Sequence, residues 1–157
     1  MVPPHVEVDR RGAQAGMAEK FLNLANRQKK DLLMLYLDLN DLKVINDTWG
    51  HQEGDQALMD IAQILKKTYR VVDIIARMSG DEFAVILVGA AINDIGTVTS
   101  RLQRNIEAHN AANIRNYTLS ISSGVAYYDT EDPCSLDEFI SRADRMMYEQ
   151  KRLRRKP

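Results

Sequence analysis

The run Asp31-Leu-Leu-Met-Leu-Tyr-Leu-Asp-Leu39 constrains the fold of this chain more than any other stretch. Residues 32 to 37 are apolar without a break, and an acid, Asp38, stands near the end of the run. A strand with one wet face alternates apolar and polar side chains. This run does not, so it suits a strand covered on both faces. Such a strand belongs inside a sheet with helices on either side.

The other segments supply those helices and the neighbouring strands. Met17, Phe21, Leu24 and Ala25 recur at helical spacing and predict a helix from about Gly12 to Lys30. Asn40 and Asp41 are placed to cap a short helix, Leu42 to Trp49, which Gly50 ends. A longer helix follows, from about Gly54 to Thr68, with Leu58, Ile61, Ala62, Ile64 and Leu65 as its inward stripe. Two apolar runs flank Ser79-Gly80 and read as a β-hairpin. Ile95, Val98, Leu102 and Ile106 mark a helix from about Ile92 to His109. Tyr117–Tyr128 reads as a strand in which Ser122-Ser123-Gly124 predict a bulge or a close backbone approach. Ser135 and Glu138 form a capping-box pattern that opens a last helix. The order is α β α α β β α β α. A hairpin within alternating elements predicts an α/β (α+β) fold with one central mixed sheet flanked by helices.

Bulk properties narrow the function class. At 157 residues the whole chain, 1–157, is expected to be one domain. The net charge of −1 gives no global attraction to nucleic acid or anionic lipid. Cys134 is the single cysteine, so no internal disulfide can form, in keeping with a reducing compartment. No apolar run is long enough to span a bilayer, and "MVPPHVEVDRRG" lacks the apolar segment of a signal peptide. The expectation is a cytoplasmic domain without membrane insertion or nucleic-acid binding.

Chemistry-bearing residues fall into three groups. Asp38 ends the buried strand and Asp81 leaves the hairpin turn. If their strands are neighbours, two hard oxygen ligands converge, as Mg²⁺ sites require; otherwise Asp38 caps a helix and Asp81 fills a turn. Asn46 and Asp55 lie in a polar-rich helix–turn–helix. A carboxylate can accept from guanine N1–H and its amino group, and an asparagine amide can donate to O6 or N7; helix capping is the competing reading. Lys151, Arg152, Arg154, Arg155 and Lys156 cluster at the C-terminus, with Lys151 and Arg155 on one helix face. They can grip a polyphosphate or compensate a helix dipole.

Taken together, "LDLNDLKVINDTWGHQEGD", "ARMSGDEF" and "ADRMMYEQK…R" resemble, in order, the motifs of the GGDEF family of diguanylate cyclases. The similarity covers about Arg10 to Lys156. It implies a palm-like, ferredoxin-type sheet of the nucleotidyl-cyclase kind. It also implies an enzyme that joins two GTP molecules into cyclic di-GMP, with Mg²⁺ or Mn²⁺ as cofactor and a homodimer as the active form. Asp38, the carbonyl of Leu39 and Asp81 would hold the cation, with Glu82 beside the attacking 3′-hydroxyl or a second cation. Asn46 and Asp55 would read guanine. Backbone amides after Leu39, including Leu42, would hold phosphates together with Lys43, the Ser79-Gly80 turn, Lys151 and Arg155. Arg70 and Asp73, six residues before the signature, match the R-x-x-D of a product-inhibition site, with Arg101 as a further arginine; a surface ion pair is the alternative. The reading alternative to an enzyme is a domain that binds cyclic di-GMP or GTP without cyclising. An upstream sensory domain or a linked phosphodiesterase domain is an expected partner.

Three positions depart from the family pattern. Ser79 replaces the first signature glycine, where glycine gives access to positive φ. Arg154 stands where glycine is usual. Of the D-x-L-T-G-L-x-N-R lead-in, only Asp9-Arg10-Arg11-Gly12 remains, which suggests a domain lacking its upstream region.

Overall fold

The structure, a computed structural model, describes residues 6–8 and 13–155. Its elements are β1 (Val6–Val8), α1 (Ala13–Gln28), β2 (Leu32–Leu39), α2 (Leu42–Trp49), α3 (His51–Thr68), β3 (Ile74–Arg77), β4 (Glu82–Val88), α4 (Ile95–Ala111), β5 (Ile121–Tyr128) and α5 (Leu136–Arg155). The five strands form one sheet in the order β1-β3-β4-β2-β5. β1 and β3 are parallel, and every other neighbouring pair is antiparallel. The sheet is therefore mixed, as expected, and β5-β2-β4-β3 is the ferredoxin-type order. β1 is an addition that the sequence pattern does not mark.

β2 lies between β4 and β5, and all eight of its residues are buried. Alternation along it serves two cores. Leu33, Leu35, Leu37 and Leu39 pack with Phe83 and Val85, with Ile61 and Leu65 of α3, and with Leu102 and Ile106 of α4. Leu32, Met34 and Tyr36 face the other way, onto Leu22 of α1 and Phe139, Ala143 and Met147 of α5. Each such leucine contributes about 1.5–3 kcal/mol by leaving water. The unbroken apolar run follows from this two-sided burial.

Some local expectations change. In α1 the inward residues are Ala18, Leu22 and Ala25, while Leu24 is 44% exposed. Leu24 sits one position before Ala25, off the stripe. The side chains of Met17, Phe21 and Arg155 lie outside the described residues. Asp41 does stand at the N-cap of α2, but in a left-handed conformation (φ 62°) without a side-chain cap bond. Its carboxylate instead accepts from Arg154 at 2.9 Å. Asn40 does not cap either. It donates to Ser120 Oγ at 3.0 Å and accepts from Ser122 Oγ at 2.9 Å.

At Gly124 the register with β2 runs on without a bulge. The close approach is what occurs: a Cβ there would lie 2.2 Å from the Met147 backbone nitrogen and 2.6 Å from the Ala143 carbonyl oxygen. α5 thus rests directly on β5. At its start the Glu138 N–H donates to Ser135 Oγ at 3.1 Å, while the Glu138 carboxylate accepts from Arg142 at 3.2 Å.

Candidate active site

Sheet register brings the acids together. Asp38 and Glu82 are direct cross-strand partners in β2 and β4. The Leu39 N–H donates to the Asp81 carbonyl at 2.9 Å, which fixes the hairpin end against the end of β2. Asp38, Asp81 and Glu82 each offer one carboxylate oxygen within 4.8 Å of the others. Asp38 is 4% exposed, and its Oδ1 has no hydrogen-bond partner. Burial raises the Asp38 carboxyl from its ordinary 3.8 to about 6; a hydrogen bond from Lys151 opposes the rise and neighbouring Asp81 adds to it. An orphaned buried carboxylate oxygen facing two more acids is costly unless a cation joins it. Three hard oxygens suit Mg²⁺ or Mn²⁺, so the residues present fit the divalent cation that the family implies.

Lys151 comes from α5 and forms an ion pair with Asp38 Oδ2. The expected phosphate ligand is thus turned onto the acid cluster, where its ammonium acts as counter-ion. One turn of helix later, Arg154 pairs with Asp41. The last turns of α5 are tied to the end of β2 and the start of α2.

The turn bearing Ser79 is relaxed. Among the described residues, the non-glycine positions with positive φ are Lys29, Asp41 and Asn113, so Ser79 is not strained. Gly80 does not use positive φ either, and a Cβ on it would meet nothing within 4 Å. Arg77 closes over the turn, donating to the Ser79 carbonyl at 3.3 Å and to the Gly80 carbonyl at 2.6 Å.

Asn46 of α2 and the start of α3 meet at Gly54. A Cβ on Gly54 would fall 1.7 Å from Asn46 Oδ1, so only glycine leaves the asparagine its place. Asp55, the next residue, is exposed. Neither side chain caps a helix: the Gly50 N–H donates to the Asn46 carbonyl at 2.8 Å, and the Gly54 N–H to the Gly50 carbonyl at 3.2 Å. Lys43 is exposed on α2.

Arg70, Asp73 and Arg101 line one cavity of about 300 Å³ with Tyr69, Gly89 and Thr97. Asp73 is buried, and its carboxylate accepts from the Arg70 N–H at 2.9 Å and the Val88 N–H at 3.1 Å. The Arg70 guanidinium approaches Asp73 at 3.4 Å and also donates to the Val88 carbonyl. Asp73 is therefore more than the surface ion pair that the sequence alternative offers: it fastens the strand ends of the hairpin. Arg70 and Arg101 are the cationic groups at the rim.

Sequence reasoning missed Tyr36, which donates to Glu82 Oε2 at 2.6 Å. It also missed Arg77, the pairing of Arg154 with Asp41 and the role of Gly54. The signal for Tyr36 was present: it is the one side chain with a polar atom between Leu32 and Leu37.

Comparison with known proteins agrees with this geometry. Residues 8–157 match the family described as "Diguanylate cyclase, GGDEF domain". The probable diguanylate cyclase DgcC of Escherichia coli is 33% identical over 144 residues, which cover 92% of this chain and 38% of that protein. Diguanylate cyclase A of Treponema denticola is 33% identical over 131 residues, covering 83% of this chain and 35% of the relative. The chain thus spans little more than a third of the length of these curated relatives. Among solved structures, the GGDEF domain of DgcB from Caulobacter crescentus in complex with c-di-GMP superposes with a TM-score of 0.77 at 26% identity, covering 87% of this chain and 79% of that one. No helix among the described residues is long and apolar enough to cross a membrane.

Proposed function

The chain belongs to the GGDEF diguanylate cyclase family, and from that premise we propose that it condenses two GTP molecules into cyclic di-GMP with release of two pyrophosphates. The observation that carries this reading is the buried, unpartnered Asp38 Oδ1 beside Asp81 and Glu82 at the end of the central strand. Asp38, the Leu39 carbonyl and Asp81 would hold the divalent cation. When bound, that cation supplies positive charge against the triphosphate and the attacking oxygen.

The chain's own residues do the rest. Asn46 and Asp55 take guanine and reject adenine, which lacks the paired donors. Backbone amides around Leu42, with Lys43, Ser79, Gly80 and Arg155, hold phosphate oxygens. Lys151, paired with Asp38 here, would turn to the phosphates when the nucleotide is bound. Glu82 stands beside the ribose 3′-hydroxyl of the facing GTP and takes or orients its proton. A 3′-oxygen–phosphorus bond forms as the α–β phosphoanhydride bond breaks, once in each direction. One such site holds one GTP, so two copies face each other across a two-fold axis and the homodimer is the active species. An upstream sensory domain or a linked phosphodiesterase domain would govern that encounter. Arg70, Asp73 and Arg101, which line one cavity, form the product site, where a guanidinium meets the O6/N7 edge of guanine.

The test is incubation with GTP and Mg²⁺ over a range of protein concentrations, followed by chromatography for cyclic di-GMP. Product formation rising faster than linearly with protein concentration is expected; no product under any condition would refute cyclisation. A second reading, a cyclic di-GMP receptor, is favoured by the cavity between Arg70 and Arg101. It prevails if the chain makes no product yet binds cyclic di-GMP, and Arg70→Ala abolishes that binding.

A further inference from the structure

Tyr36 is fully buried on the face of the sheet that packs against α5. Its cross-strand neighbours are Ala84 in β4 and Gly124 in β5, both small. A phenylalanine would fill the same position without a polar atom to satisfy, so packing alone does not call for the hydroxyl. That hydroxyl donates to Glu82 Oε2 at 2.6 Å. The distance is in the range of an O–H donor on an ionised carboxylate.

Glu82 opens β4 at the edge of the site and is only partly buried. Its carboxylate ends a flexible side chain, which would otherwise sample several rotamers. We propose that Tyr36 is a positioning residue: its hydroxyl holds Glu82 by Oε2 and so presents the remaining oxygen to the cluster of Asp38 and Asp81. Tyr36 reaches this role from two residues before Asp38 on the same strand, so one strand supplies both an acid and the donor that orients the facing acid. The inference rests on the reading of Glu82 as a working carboxylate of the site.

The test is Tyr36→Phe in the whole chain, alone and combined with Glu82→Ala. Substitutions of groups that orient metal-site ligands typically cost about 10–100-fold in metal affinity or activity. Tyr36→Phe is expected to stay folded, to keep its KM for GTP within about twofold, and to lose about tenfold or more in kcat. Its Mn²⁺ affinity, titrated in the presence of a non-reactive GTP analogue, should fall by a similar factor. In the Glu82→Ala background the same change should cost nothing further in either measurement, because the proposed role runs through Glu82. Unchanged kcat and unchanged Mn²⁺ affinity in Tyr36→Phe would overturn the proposal. So would an equal loss in the Glu82→Ala background, which would mark a general packing role. Should the unsubstituted chain make no cyclic di-GMP, cyclisation fails as a reading, and the Mn²⁺ comparison still decides the role of Tyr36.

Discussion

Gly54→Ala separates the site from the scaffold. Gly54 is buried in the second turn of α3, where alanine favours the helix by about 0.5–1 kcal/mol. The added Cβ would fall 1.7 Å from Asn46 Oδ1 and 2.8 Å from its Cγ, distances that real Cβ atoms essentially never show. The three nearest atoms all belong to the end of one half-buried side chain, so Asn46 can swing away while the backbone stays. The melting temperature is therefore expected to hold or rise, by up to about 2–4 °C per kcal/mol for a chain of this size. GTP binding should weaken, because Asn46 can no longer donate to guanine. One net hydrogen bond of about 1 kcal/mol corresponds to roughly fivefold in Kd, and two to roughly thirtyfold. Thermal unfolding followed by calorimetric titration with a non-hydrolysable GTP analogue gives both numbers on one sample. A variant that melts no lower and binds the analogue as tightly as the parent would refute base reading by Asn46. A variant that melts much lower would refute the idea that Asn46 is free to move.

Other substitutions probe the remaining contacts. Gly124→Ala meets backbone rather than side-chain ends, at 2.2 Å from Met147 N and 2.6 Å from Ala143 O, so α5 must shift. A loss of about 1–3 kcal/mol or more is expected in denaturant unfolding. Lys151→Met removes the counter-ion of Asp38. It should tighten Mn²⁺ binding without nucleotide, and weaken GTP binding, each by roughly tenfold; titrations of each ligand alone check both directions. The Asp38 carboxyl, raised from 3.8 to about 6, binds its proton more tightly in the folded chain than in the unfolded one. The stability this proton brings is complete below 3.8 and is lost as pH rises through about 6. Melting in chelator across that window should show the decline, and Asp38→Asn should flatten it.

The sheet and most helices were legible because their apolar spacing reports burial directly. β2 shows this best: its unbroken run has no explanation other than cover on both sides. β1 was not legible, since three residues carry no period and their pairing with β3 depends on partners far along the chain. The acids of the site were legible as types at strand ends, but their convergence needed the register that sets Asp38 opposite Glu82. Tyr36 stood out by its hydroxyl, but its partner Glu82 emerges only from the same register. Arg77 and Arg154 reach partners that only the folded turn and the α5 approach create. Asp41 misled because a residue type that caps helices was instead held in a left-handed conformation at the mouth of the site. The positive φ that a glycine would allow at position 79 is not used, so Ser79 fits the turn.

The bond from the Leu39 N–H to the Asp81 carbonyl has a further consequence. It carries the β2–β4 pairing one step past Asp38 and Glu82 into the hairpin turn, so the spacing of the acids is set by backbone hydrogen bonds of buried Leu39 and its strand. Amides buried in a central strand belong to the part of a fold that opens last. The carboxylate cluster therefore has no local melting of its own. Deuterium uptake at Leu39 should track global unfolding, and heat should abolish cation binding and structure at one temperature.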